Sequence, residues 1–170
     1  DLLNLAHVTR TPMGHEIVDI SSLAESIVAE LRSQDKERAV QVDIQPDLTA
    51  EGDSALLRIM LENLLNNAWK FTGKTRAAHI ELGRTAQTKT EQTFFIRDNG
   101  AGFDMTYAGN LFGAFQRLHN ASEFAGSGIG LATAQRILAR HGGRINASST
   151  VGQGAVFYFT LPNHHNEQHA

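Results

Sequence analysis

Hydrophobic and polar positions along the chain predict alternating helices and strands. Leucines at 2, 3 and 5 followed by polar residues read as the last turns of a helix that Pro12 stops. "EIVDI" (16–20) reads as a short strand. "SSLAESIVAELRSQ" (21–34) opens on serines suited to capping and keeps apolar residues at 23, 27, 28 and 31, the spacing of a helix. "AVQVDIQ" (39–45) alternates like a strand and is turned by Pro46-Asp47; Asp53 then caps a long helix, "SALLRIMLENLLNNAWKF". "AHIELGRTA" and "TFFIRD" read as strands joined by "QTKTEQ". One more helix, "GLATAQRILARHGG", precedes two closing strands, "RINASST" and "AVFYFTLP". Mixed helices and strands with antiparallel hairpins predict an α+β fold. Its form is a two-layer sandwich whose mixed, mostly antiparallel sheet is covered on one face by helices, rather than a doubly wound parallel sheet.

Composition narrows the classes. At 170 residues the chain suits one domain with a short tail, and its 41% hydrophobic content is enough for a core. A net charge of −3 with no long charge run gives no electrostatic case for nucleic acid or an anionic membrane. There is no cysteine, which excludes disulfides and thiolate metal sites. No apolar run approaches the roughly 20 residues of a membrane span, and no signal peptide is visible. The chain opens without methionine inside a helical pattern, so it is expected to be a fragment. Its end, "NHHNEQHA", reads either as a solvated tail or as a weak metal binder.

Three stretches carry possible chemistry. Asn63, Asn67 and Lys70 fall at i, i+4 and i+7 of the long helix and form one stripe, bordering a face made by Leu57, Met60, Leu64, Ala68 and Phe71. The stripe is either a solvated helix edge or a ligand site. Asparagine is a poor helix former, yet three occur within residues 63–67. Amide oxygens suit Mg²⁺, and a lysine one turn on can meet phosphate. "DNGAGF" (98–103) is either an ordinary turn or a base-binding loop. In the second reading Asp98 accepts a hydrogen bond from an exocyclic amine, while Gly100 and Gly102 admit a flat ring to the backbone. "GSGIGLA" from Gly126 lacks the preceding strand of a dinucleotide fold and the GK[ST] of a P-loop. It leaves a glycine segment feeding a helix N-terminus, where free N–H groups favour phosphate.

In order, "NLLNNAWKFT", "DNGAGF", "LFGAFQRL", "GSGIGLA" and "VGQGAVFYFTLP" resemble the N box, glycine boxes and F box of sensor histidine kinase catalytic domains, with a flavour similar to PAS-linked and phytochrome-like kinases. That family adopts the Bergerat ATP-binding fold shared with gyrase and MutL, and the resemblance spans residues 16–162. It implies ATP and Mg²⁺ as cofactors and transfer of the γ-phosphoryl group to a histidine on a dimerisation hairpin, then to a response-regulator aspartate. By resemblance, Asn67 coordinates Mg²⁺ with Asn63 lining the same site, Lys70 faces the phosphates, and Phe71 the adenine. Asp98 binds the adenine amino group in a pocket shaped by Gly100, Gly102 and Phe103. Arg117, Gly126, Ser127, Gly128 and Ile129 belong to a lid over the phosphates, with Gly130 and Leu131 starting the helix behind them. Gyrase-type ATPases carry a general-base glutamate four residues before the Mg²⁺ asparagine; Asn63 stands there, and a neutral amide takes no proton. Glu62 is adjacent but lies about 100° round the helix, from where it could assist a histidine acceptor. The sequence departs from the pattern at Ala114, where the F box carries proline, at Ala125, where a glutamate often stands, and at Ala155, where some relatives place a hydroxyl.

"HVTRTP" (7–12) resembles the phosphoacceptor box H-[DE]-x-R-[TN]-P, but Val8 replaces the acidic residue and no second hairpin helix fits before the first strand. His7 is therefore expected to lie near the end of that second helix, with the acceptor outside this fragment. The expected organisation is residues 1–15 as hairpin end and linker, 16–162 as the catalytic domain and 163–170 as a disordered tail. A cytoplasmic location, a monomeric fragment of a homodimeric kinase and no direct membrane or nucleic-acid contact complete the expectation. The alternative is a non-catalytic, nucleotide-sensing pseudokinase module.

Overall fold

The computed structural model describes residues 12–103 and 130–163. Chain order is β1 (Glu16–Asp19), α1 (Ile20–Gln34), β2 (Gln41–Ile44), β3 (Thr49–Gly52), α2 (Ser54–Phe71), β4 (His79–Gln87), β5 (Glu91–Asp98), α3 (Gly130–Arg140), β6 (Ile145–Ser149) and β7 (Ala155–Pro162). Five strands form a sheet in the order β2-β4-β5-β7-β6. Only the β2–β4 pair is parallel; β4–β5, β5–β7 and β6–β7 are antiparallel. The expected α+β sandwich is the observed architecture.

Alternation along β5 explains the two faces of the sheet. Gln92, Phe94, Ile96 and Asp98 point to the buried side, and their neighbours on β7, Leu161, Phe159, Phe157 and Ala155, are buried with them. The rings of Phe94 and Phe159 stack with centroids 5.2 Å apart. Helix α2 packs over this face through Leu57, Met60, Leu61, Leu64 and Ala68, with α1 and α3 against it on either side. The predicted apolar face of α2 is the buried one, except that Phe71 is only half-buried.

One local expectation is corrected and one unexpected strand is found. Asp19, not a serine, caps α1, its Oδ1 accepting the Ser22 N–H at 2.9 Å. Ser21 is buried instead; its hydroxyl donates to the Gln45 carbonyl (2.6 Å) and accepts from the Leu48 N–H (3.0 Å). "TAEG" (49–52), with no hydrophobic alternation, is a strand because it pairs antiparallel with β1 in a separate two-stranded ribbon.

Asp53 caps α2 as expected, its Oδ1 accepting the Leu56 N–H at 2.9 Å. The same carboxylate accepts the Gly14 N–H (2.8 Å), and the Asp53 N–H donates to His141 Nε2 (3.1 Å). His141 is buried, and burial holds its imidazole below the ordinary value. It is neutral, with Nδ1–H donating to the Ile137 carbonyl at 2.8 Å. This joint fastens the start of α2 to the end of α3 and fixes how the two helices that flank the site lie together.

Candidate functional site

Helix α2 reaches two parts of the molecule. Near its middle, Asn63 lies against the first residue of α3: a Cβ on Gly130 would stand 3.2 Å from Asn63 Oδ1. At its end, the Phe71 carbonyl accepts the Ala101 N–H at 2.9 Å. The stretch between is eight residues, about 12 Å of helix at 1.5 Å per residue. Asn67 is half-exposed and Lys70 exposed along it. Among the described residues the side chains of Asn63, Asn67 and Lys70 have no hydrogen-bond or ion-pair partner. The structure thus brings these three to one border of the helix, polar and unengaged.

Asp98 sits beyond the other end. It closes β5, is only 6% exposed, and accepts the Gly100 N–H at 2.8 Å. Burial pushes its carboxyl up to about 6, with N–H groups of Gly100 and Ala155 pulling the other way. It is therefore ionised at pH 7, with limited hydration, and retains acceptor capacity for a donor on a ligand. The loop that follows is locked to its surroundings. Asn99 Oδ1 accepts the His79 N–H (2.8 Å), the Ala101 carbonyl accepts the Gly152 N–H (2.7 Å), and the Phe103 N–H donates to Ser149 Oγ (2.8 Å).

The glycines of this loop are required by the protein itself. A Cβ on Gly100 would stand 2.2 Å from the Phe71 carbonyl oxygen; one on Gly102, whose φ is +68°, would stand 2.2 Å from that of Thr150. Ring access was the reason read from the sequence, whereas the close neighbours of both residues are carbonyls of the fold. Gly154, at φ +95° and pressed on the Asp98 carbonyl, is a third such position and was not singled out from the sequence. The positive φ values are what select glycine at 102 and 154.

Other expected site residues separate from this group. Phe103 is buried and packs in the core, its ring 6.1 Å from that of Phe157. Glu62 lies 3.9 Å from Arg58, which reaches Glu30 of α1 at 3.0 Å. Glu62 therefore faces the α1 side of α2, while Asn63 faces α3. Leu131 is partly buried against the core. Gly130 begins α3 as expected. Arg117, Gly126, Ser127, Gly128 and Ile129, with Ala114, Ala125 and His7, lie outside the described residues. Among the described residues no cluster of three or more His, Cys, Asp or Glu could hold a metal ion, and no helix is long and apolar enough to cross a membrane.

Residues 52–165 match the family described as histidine kinase-, DNA gyrase B- and HSP90-like ATPase, and the chain belongs to that family. Within it, its relatives place the chain with the catalytic ATP-binding domains of sensor histidine kinases. It is 33% identical over 162 residues to cyanobacterial phytochrome A of Nostoc sp., covering 95% of this chain and 21% of that protein. It is 34% identical to the adaptive-response sensory kinase SasA of Synechococcus sp., covering 95% of this chain and 44% of the relative. Among solved structures, full-length ShkA in complex with AMPPNP superposes with a TM-score of 0.78 at 27% identity, over 95% of this chain and 34% of that one. The mycobacterial sensor histidine kinase MprB, at 23% identity and a TM-score of 0.73, shares the fold over 88% of this chain and 97% of its own. The chain thus spans less than half the length of these sequence relatives. Relatives named as kinases and phytochromes give the non-catalytic alternative no support.

Proposed function

We propose that this domain binds Mg-ATP with its adenine at Asp98 and its phosphates along the Asn63–Asn67–Lys70 border. From there it supplies the γ-phosphoryl group to a histidine on the dimerisation hairpin of the same kinase. A response-regulator aspartate is the next acceptor, in a cytoplasmic homodimeric kinase. The observation that carries the reading is a buried carboxylate at one end of the α2 segment and, at the other, the Asn63 amide beside the start of α3, with no partner among the described residues.

Each group then has a task. Asp98, ionised and desolvated, accepts a hydrogen bond from the adenine amino group; a guanine, with a carbonyl there, would oppose acceptor to acceptor. The amide oxygens of Asn63 and Asn67 are hard donors with no other partner among the described residues, which fits Mg²⁺. With no carboxylate cluster beside them among the described residues, that ion would take its remaining ligands from phosphate and water. When bound, Mg²⁺ neutralises charge that builds on the transferring phosphoryl group. Lys70 adds a cation to the phosphates, and the N-terminus of α3, beside Asn63, has the polarity that favours phosphate. Neutral Asn63 takes no proton from water, which favours transfer over hydrolysis.

The test is phosphotransfer to an intact hairpin supplied in trans. Asn67→Ala removes a metal ligand and is expected to slow transfer by roughly two to three orders of magnitude, the scale on which a lost transition-state contact acts. Its half-exposed site should leave stability within about 0.5 kcal/mol. Transfer at the parent rate would overturn the metal role of Asn67.

A further inference from the structure

We infer that Arg38, in the connection between α1 and β2, is a positioning residue for the base end of the nucleotide site. It acts through the carbonyl end of α2. The inference rests on the reading that Asp98 takes the adenine.

The last four carbonyls of a helix have no partner inside it. In α2 these belong to Ala68, Trp69, Lys70 and Phe71. Two are satisfied locally: Ala68 by the N–H (3.2 Å) and hydroxyl (2.8 Å) of Thr72, and Lys70 by the Gly73 N–H (3.0 Å). The other two are reached from outside, although the Trp69 carbonyl also takes the Thr72 hydroxyl at 3.1 Å. Arg38 Nη1 donates to the Trp69 carbonyl at 2.6 Å, and the Ala101 N–H donates to the Phe71 carbonyl at 2.9 Å. Residues two apart are displaced by roughly 200° around a helix axis. The end of α2 is therefore gripped on one side by Arg38 and on the other by the loop that follows Asp98.

Arg38 is itself fixed in place. Its second prong, Nη2, donates to Thr72 Oγ1 at 2.9 Å. Its guanidinium lies 4.9 Å from the centre of the Trp69 ring, and the indole N–H donates to Asp35 Oδ2 at 3.3 Å. Asp35, the C-cap of α1, stands 3.9 Å from Arg38 Nε. The fork and the stacking plane fix the guanidinium together, and its charge suits a helix C-terminus. A lysine has one point donor and no plane, so it cannot reproduce this grip.

The Phe71 carbonyl has no slack toward the site. Gly100 packs so closely on it that even a methyl group would stand 2.2 Å away. The Gly100 N–H in turn holds Asp98 Oδ1 at 2.8 Å. A shift of the α2 end is therefore passed through Ala101 and Gly100 to the carboxylate that would read the base. Arg38 touches none of the proposed ligand-facing groups and works entirely through this chain of contacts.

The test compares the parent with Arg38→Lys and Thr72→Val, the second removing the acceptor of one prong, along with the hydroxyl's bonds to the Ala68 and Trp69 carbonyls, without changing charge. Mg-ATP affinity is measured by calorimetry, and amide exchange is followed at Ala101 and at the first turn of α2. Arg38→Lys is expected to weaken Mg-ATP binding about tenfold, on the scale of one lost charge-assisted hydrogen bond, with Thr72→Val weaker by a smaller factor. Exchange should quicken at Ala101 and stay unchanged at Leu57, a selectivity that general loss of stability would not give. The emission of Trp69, the single tryptophan, should change in Arg38→Lys while the protein stays folded. If the parent binds Mg-ATP and Arg38→Lys binds it equally well with Ala101 unchanged, the role of Arg38 is wrong and the nucleotide reading stands. If the parent does not bind Mg-ATP, the nucleotide reading falls and this inference falls with it.

Discussion

The two ends of the α2 segment are built in opposite ways. At the Asp98 end the backbone does the work: carbonyls of Phe71, Thr150 and Asp98 press on Gly100, Gly102 and Gly154, and the loop amides are engaged. From the Gly130 end along the helix border, side chains of Asn63, Asn67 and Lys70 stand on a regular helix without partners among the described residues. A site made of packed backbone tolerates little change, because nothing near it can give. A site made of unengaged side chains on a rigid helix can lose them without unfolding. The proposed base end should therefore link function to stability, whereas the proposed phosphate end should separate them.

Asp98→Asn gives the largest expected break. Replacing the carboxylate with an amide weakens a charged hydrogen bond and should lower Mg-ATP affinity about 10- to 100-fold by calorimetry. The same change should stabilise the ligand-free domain. The Asp98 carboxyl is raised to about 6 from an ordinary 3.8, so the folded protein carries a cost for keeping it ionised at pH 7, about 3 kcal/mol at most. For this group, stability rises as pH falls through about 6 and levels off below the ordinary value, because the native state holds the proton more tightly than the unfolded chain. A higher unfolding midpoint in Asp98→Asn, with weaker nucleotide binding, is the expected pair of results.

Gly100→Ala comes next. Its methyl group would meet the Phe71 carbonyl, and accommodating it should cost about 1–3 kcal/mol in denaturant unfolding. Lowering the pH by a single unit gives the smallest effect. A protonated Asp98 cannot accept from the adenine amino group as a carboxylate does, so Mg-ATP affinity in the parent should fall up to about tenfold per unit below pH 6. Asp98→Asn should lose most of that dependence, which separates Asp98 from the titration of the phosphates.

How much of this was legible in the sequence follows from how local each cause is. The Asn63–Asn67–Lys70 border needs only the helical period and the Asp53 cap, and both were read directly. Asp98 was legible as a strand-ending acid before glycines, but its burial depends on β7 pairing across from it. Strand β3 was not legible, since "TAEG" is four residues without alternation and exists only through its pairing with β1. The reason for Gly100 lies in a carbonyl 29 positions earlier in the chain, and that of Gly102 in one 48 positions later. Arg38 stands in the polar run "DKER", and its grip on Trp69 spans 31 positions, which no local pattern reveals. What sequence missed is tertiary packing onto the backbone, from other backbone segments and from one distant side chain.

Backbone amide spectra of the domain, recorded during titration with adenosine and then with Mg-ATP, test the two-ended site most directly. Adenosine should move the resonances of Asp98, Gly100 and Ala101 and leave Gly130 and the Asn63 and Asn67 side-chain amides unchanged. Mg-ATP should move both sets. If Mg-ATP perturbs the Gly130 end while Asp98 to Ala101 stay still, or if adenosine moves both ends alike, the base and phosphates are not divided along α2 as proposed.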